Sequence, residues 1–158
     1  MHDTKATLRA RLQNIRQSLS GEQRQKKDRI IAEELLAGYD WSIVQSVHIY
    51  RSQPRFGEVA TDRICELLHT YHPHLSIDIA PLDPAIAPPL HPLYDIIIMP
   101  VPGYDSSGNR LGMGAGWYDR LLAAQPQAYR IGLAYIESRL PAVPAEAHDQ
   151  ALDHIIAA

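Results

Sequence analysis

The tightest constraint on this chain lies at its centre, where residues 95–100 read DIIIMP. A continuous apolar run has no polar face to offer water, so it suits a strand covered on both sides, as in a parallel sheet. The turn residues of VPGYDSSGN follow, and then GNRLGMGAGWYDR, in which three glycines alternate with other residues between an arginine and a Trp-Tyr-Asp run. After Gly116, the segment WYDRLLAA has good helix formers with apolar Tyr118, Leu121 and Leu122. Strand, glycine loop, helix is the order in which α/β proteins bind ligands at the carboxyl ends of their strands.

The chemistry of that loop suits phosphate. Glycines reach positive φ and admit a ligand close to the main chain, where successive N–H groups converge on an anion. The helix N-terminus after Gly116 adds partial positive charge, Arg110 a bidentate partner for phosphate oxygens, and Asp119 a carboxylate for a magnesium ion. On this reading, losing Arg110 costs nucleotide binding and little folding stability. A flexible turn explains Gly112, Gly114 and Gly116 equally well when the run is taken alone. The pattern is neither a Walker loop, which closes in Gly-Lys-Ser/Thr, nor the spaced dinucleotide fingerprint.

Length and composition narrow the class. A chain of 158 residues can bury one proper core, and no break in composition divides it, so one domain over residues 1–158 is expected. With 46% hydrophobic and 21% charged residues and a net charge of -3, it has no general attraction for nucleic acid or an anionic membrane. Cys65 is the only cysteine, which excludes an internal disulfide and suits core packing. There is no membrane-length apolar stretch, and the polar start MHDTKATLRARLQ lacks the apolar core of a signal peptide. A cytoplasmic protein is expected.

Along the chain, Leu8, Leu12, Ile15 and Leu19 recur at helical spacing, and Ser20 with Gln23 reads as a capping box opening a second helix. These form an expected helical hairpin. Residues 47–50 suit a short strand, Thr61 the cap of a helix burying Ile64 and Leu68, and residues 76–80, 129–135 and 154–156 further strands. Pro81, Pro84, Pro88, Pro89 and Pro92 make the connection between them irregular. Strands alternating with helices favour α/β architecture with a mostly parallel sheet.

Other constellations are weaker. Lys5, Arg9 and Arg16 share one face of the first helix, as solvated surface or as a positive stripe. Glu58 precedes a helix start, where a carboxylate often serves only the dipole. His69, His72 and His74 cluster without a partner to complete a zinc site. Asp149 and Asp153 either decorate the surface or face the same magnesium ion as Asp119, and spacing does not choose. Trp117 and Tyr118 are either core or a stacking surface for a flat heterocycle.

Taken together, DIIIMPVPGYDSSGNRLGMGAGWYDRLL resembles the 5-formyltetrahydrofolate cyclo-ligases, also called 5,10-methenyltetrahydrofolate synthetases. The likeness lies in the aspartate-led strand ending in Pro, the Tyr-Asp pair, the Arg-Leu-Gly, the alternating glycines and the aromatic-aromatic-Asp close. Lys5, Arg9 and Arg16, Glu58 and Thr61, and the aspartates of VPAEAHDQALD are similar too. The resemblance implies a Rossmann-like three-layer α/β sandwich and an enzyme using ATP and Mg2+ to cyclise 5-formyltetrahydrofolate to 5,10-methenyltetrahydrofolate, with ADP and phosphate released. It implies that Lys5, Arg9 and Arg110 meet the nucleotide together with Leu111, Gly112, Met113, Gly114, Ala115, Gly116, Trp117 and Tyr118. Asp119 and Asp149 would hold the metal, Glu58 and Trp117 would contact the folate, and Arg110 and Tyr118 would assist the chemistry. The partners are then a reduced folate and ATP, with no nucleic acid and no membrane, on a monomer or weak homodimer.

This sequence departs from the family pattern at Met113, where many members carry arginine, and between Glu58 and Asp95, where PLDPAIAPPLHP replaces a longer segment lining the folate pocket. A nucleotide-binding member without ligase activity is the alternative. An interaction protein using its basic first helix is a third reading, disfavoured by the net charge.

Overall fold

The computed structural model describes residues 3–158. The central apolar run becomes strand β3 (Ile96–Pro100), buried at every position, which pairs in parallel with β1 (Ser46–Ile49) on one side and β6 (Tyr129–Ala134) on the other. β2 (Ser76–Ile79) extends the sheet beyond β1 and β7 (His154–Ala157) beyond β6, so the order is β2-β1-β3-β6-β7 with every neighbour parallel. Side chains alternate across a strand. Ile96 and Ile98 therefore join Ile31, Leu35, Ile64 and Leu68, contributed by α2 (Gly21–Ala37) and α3 (Asp62–Tyr71). Ile97 and Met99 turn to the other face, against Leu121 and Leu122 of α4 (Trp117–Ala124). Three layers result, because a strand apolar on both sides needs helices on both.

The N-terminal helical pair is present. α1 (Lys5–Ser18) lays Leu8 and Leu12 on Leu111, Leu140 and Val143, covering loops rather than the sheet. α2 opens with the expected capping box, in which Ser20 Oγ accepts from the Gln23 N–H while Gln23 Oε1 accepts from the Ser20 N–H. Thr61 stands at the start of α3 but does not cap it. Its hydroxyl donates to the Tyr50 carbonyl at 3.0 Å and accepts from the Ser52 N–H, tying down the exit of β1 instead. A short antiparallel hairpin, β4 (Gly103–Tyr104) with β5 (Arg110–Leu111), intervenes between β3 and the glycine loop. Asp105 shapes its turn by accepting from the Ser107, Asn109 and Val143 N–H groups.

From β1 the chain passes to β2 on one side and returns to β3 on the other, so the winding reverses between β1 and β3. A crevice opens at the carboxyl ends of strands where such a reversal occurs. Tyr50, Ala80 and Pro100, at the exits of β1, β2 and β3, all line one cavity of about 590 Å³. Among the described residues no helix is long and apolar enough to cross a membrane.

Candidate active site

The glycine loop forms one wall of this cavity, lined by residues 112–116 and continuing into the start of α4. Gly114 and Gly116 hold φ of 109° and 68°, a region that side chains avoid, whereas Gly112 does not have positive φ. Two arginines pin the loop by its carbonyls. Arg9 Nε donates to Gly112 O at 2.7 Å from α1, and Arg120 Nη1 donates to Ala115 O at 2.8 Å from α4.

Cations and carboxylates meet in pairs beside the loop. Arg110 Nη2 lies 2.7 Å from Asp119 Oδ1, and Lys5 Nζ lies 2.6 Å from Asp149 Oδ2 and 3.2 Å from Glu146 Oε1. Asp119 also accepts from the Gln150 N–H, which places the Asp149 loop against the start of α4. Burial pushes the Asp149 carboxyl up, but hydrogen bonds from Lys5 and the Glu146 N–H, with the Lys5 charge, outweigh it and hold the group below its ordinary range. Burial likewise opposes the Lys5 charge, and its bonds to Asp149 and Glu146 overcome that and raise it. Arg110 is only 7% exposed, burial lowers its pKa against the pull of Asp119, and its Nε is buried without a partner. The guanidinium is therefore a core group as well as a cavity group, which bears against the expectation that its loss costs little folding stability.

Arg51, Gln53, Arg55, Phe56 and Glu58, between β1 and α3, also line the cavity. Glu58 accepts from the Gln53 N–H at 2.6 Å across this loop, and burial raises its pKa despite that bond and the nearby Arg16 and Arg55 charges. Ala80, Pro81, Leu82 and Pro84 of the proline-rich connection complete the lining, and Trp117 Nε1 donates to Ile86 O at 2.8 Å to tether that connection. The short segment thus still closes one side of the cavity.

Residues 81–158 match the model of the 5-formyltetrahydrofolate cyclo-ligase family. That match spans 78 of the 158 residues, just under half of the chain. The 5-formyltetrahydrofolate cyclo-ligases of Mus musculus and Mycolicibacterium smegmatis are 36% and 43% identical over 67 and 63 residues, 39% of this chain in each case. The match covers 33% and 32% of those proteins, so it spans about a third of their length. In fold, the chain is similar to a 5,10-methenyltetrahydrofolate synthetase from Mycoplasma pneumoniae, 23% identical with a TM-score of 0.79 over 98% of each chain. It is also similar to a 5,10-methenyltetrahydrofolate synthetase of Aquifex aeolicus, 20% identical with a TM-score of 0.78 over 97% of this chain and 89% of that one.

Of the residues carried over from the cyclo-ligase pattern, Lys5, Arg9, Glu58, Arg110, Gly112, Met113, Gly114, Ala115, Gly116, Trp117, Tyr118, Asp119 and Asp149 all line the one cavity. Leu111 does not: its side chain is fully buried among Leu8, Leu12, Leu140 and Val143. Arg16 is likewise drawn inward, donating to Phe56 O and Pro102 O, so its cyclo-ligase position supports loops rather than the phosphate wall. Asp153 accepts from the Arg130 N–H, so of the two C-terminal aspartates only Asp149 lines the cavity. Trp117 proves largely core, and Tyr118 buries a hydroxyl that has no partner and whose pKa burial drives far up.

Sequence reasoning missed Glu146 and His148, which share the Asp149 loop, and Arg51, Gln53, Arg55 and Phe56. Their only signal was proximity to Asp149 or Glu58. It also missed His48 on β1, which is 2% exposed, stacks on Trp117 at 5.5 Å and 28°, and has neither ring nitrogen partnered. Burial holds its pKa down to about 4.

Proposed function

We propose that this chain is an ATP-dependent cyclo-ligase that closes 5-formyltetrahydrofolate to 5,10-methenyltetrahydrofolate, releasing ADP and phosphate. The observation that carries the reading is that one cavity holds the glycine loop with the Trp117–Tyr118 pair that follows it, two cation–carboxylate pairs, and Glu58. Lys5 and Arg110 each already sit against a carboxylate, whereas Arg9 lines the cavity without one. Asp119 and Asp149 would hold a magnesium ion, which would offset charge on the phosphate oxygens. The fit is reasonable, because magnesium is usually bound by one or two carboxylates with substrate phosphates supplying the rest. Among the described residues no cluster of three or more ligating side chains offers a self-sufficient cage.

The chemistry follows from the leaving group. A formamide oxygen departs poorly, and transfer of the γ-phosphoryl group to it converts it into phosphate. N10 then attacks the formyl carbon, the carbon–oxygen bond breaks, phosphate leaves, and the N10 proton is lost. Lys5 and Arg110 stabilise charge on the transferring group. Arg9 holds the loop that receives the nucleotide. Tyr118, kept protonated by its burial, is a free donor beside it. Glu58 offers a carboxylate to the pterin N–H groups.

A spectrophotometric assay with 5-formyltetrahydrofolate and MgATP tests this, through the near-ultraviolet absorbance of the methenyl product. Product formation that requires both substrates is expected. None at high enzyme concentration, with ATP binding intact by calorimetry, would overturn the proposal in favour of a nucleotide-binding protein.

A further inference from the structure

Little holds the proline-rich connection between β2 and β3 in place. None of residues 81–92 is buried, and Leu82, Ile86 and Leu90 are each more than half exposed. Pro81, Pro84, Pro88, Pro89 and Pro92 carry no backbone donor, and within the stretch the one backbone hydrogen bond runs from the Ile86 N–H to Asp83 O. Among the described residues, every hydrogen bond from residues 81–92 to the rest of the protein comes from two side chains. Trp117, the first residue of α4, donates from Nε1 to Ile86 O at 2.8 Å. Gln125, at the C-cap of the same helix, donates from Nε2 to Pro92 O at 3.0 Å and to Pro89 O at 3.4 Å.

The two ends of the stretch are fixed. The Ala80 N–H donates to Ile49 O at 2.9 Å, and the Tyr94 and Asp95 N–H groups donate to Gln125 Oε1 and Ser46 O at 2.8 and 3.0 Å. A segment with few hydrogen bonds and no buried side chain opens at a low free-energy cost. Prolines that fix φ keep it stiff, so it swings as one piece between its ends. Toward the cavity it presents Pro81, Leu82 and Pro84, whose side chains have no polar atom and serve to exclude water. Gln125 is fully buried and does not line the cavity, so it reaches a ligand only through the segments it holds.

We propose that residues 81–92 form a strap that swings open to admit the folate and closes to keep water off the phosphorylated formyl group, and that Trp117 and Gln125 are the positioning residues that hold it closed. The inference rests on the cyclo-ligase reading. In that reaction two nucleophiles compete for the activated formyl carbon. Attack by N10 breaks the carbon–oxygen bond, releases phosphate and gives the methenyl product. Attack by water releases the same phosphate and returns 5-formyltetrahydrofolate, so that ATP is hydrolysed with no net change in the folate. A closed wall favours the first route by excluding the competitor.

Thermolysin, which cuts ahead of exposed Leu and Ile, reads the opening in the ligand-free protein, with the cut sites located by mass spectrometry. In the parent the first cuts should fall within residues 81–92. A neutral hydrogen bond is worth about fivefold in such an equilibrium, so cleavage of the strap should quicken about fivefold or more in Trp117→Phe and in Gln125→Met. Urea unfolding measured alongside separates strap opening from a general loss of stability. The second readout is the ratio of ADP to methenyl product, which does not depend on how much of a variant is folded. The parent should form the two in equal amounts, and the ratio should rise about twofold or more in both variants. A parent strap cut no sooner than the rest of the chain, or variants whose strap cleavage does not outpace their global unfolding, would overturn the strap. Faster strap cleavage with ADP and product still in equal amounts would overturn its role against water. A parent that yields no methenyl product would overturn the cyclo-ligase reading and the role against water together, while the cleavage result still decides the strap.

Discussion

Substituting either member of the Arg110–Asp119 pair should destabilise the ligand-free fold, and by unequal amounts that the burial of the two side chains sets. The Arg110 side chain is 4% exposed and that of Asp119 is 18%, facing the cavity. Asp119→Asn keeps an oxygen for the Arg110 and Gln150 N–H groups but strands a buried cation, with only the more distant Asp149 charge to offset it. Removing one partner of a buried pair costs about 3 to 5 kcal/mol, and the wet cavity on one side reduces this to about 2 to 4. Arg110→Met keeps much of the aliphatic volume, removes a buried Nε that has no acceptor, and leaves a carboxylate that water can reach, at a cost of about 1 to 2 kcal/mol. With both changes no charge is stranded, so the double variant should lie within about 1 kcal/mol of the parent. At about 2 to 4 °C per kcal/mol for a chain of this size, Asp119→Asn should melt roughly 4 to 16 °C below the parent. Urea and thermal unfolding of the four proteins without ligand supply the comparison. If Asp119→Asn melts with the parent, or Arg110→Met proves the more damaging of the two, the assignment of Arg110 as a buried cation held by Asp119 is wrong.

Two further outcomes follow from the fold. His48 is held neutral by burial, with its pKa lowered to about 4, while the unfolded chain takes up a proton near 6.5, so the stability present above pH 6.5 is lost as the pH falls toward 4. The loss should reach about 3 kcal/mol and shrink in His48→Phe, as read from unfolding midpoints measured between pH 7 and pH 4. Ser20→Ala removes the acceptor for the Gln23 N–H in the capping box of α2 and should cost about 1 kcal/mol, a fall in melting temperature of about 2 to 4 °C.

Local signals in the sequence determined most of the architecture. DIIIMP has no polar face, which put β3 in a layer between helices before any contact was known, and Ser20 with Gln23 marked the start of α2 because a capping box is closed by residues three apart. The glycine loop and its Arg110–Asp119 frame were legible for the same reason, since their geometry needs only a strand exit, a turn and a helix start. Thr61 had the right identity and position for a cap, but a hydroxyl also bonds across space, and the Tyr50 carbonyl won it. Arg16 and Lys5 looked alike on one helix face. The loop that packs against α1 buries the first, and the C-terminal aspartate pairs with the second from 144 residues away. What the tertiary structure alone decided is which charges meet which, because pairing depends on the winding that brings the exits of β1, β2 and β3, the start of α1 and the Asp149 loop around one cavity. Spacing along a chain says which residues share a helix face or a turn, whereas burial and counter-charge are set by segments far apart in sequence. Arg51 and Arg55, two of the fifteen basic residues, became recognisable as cavity-lining only there.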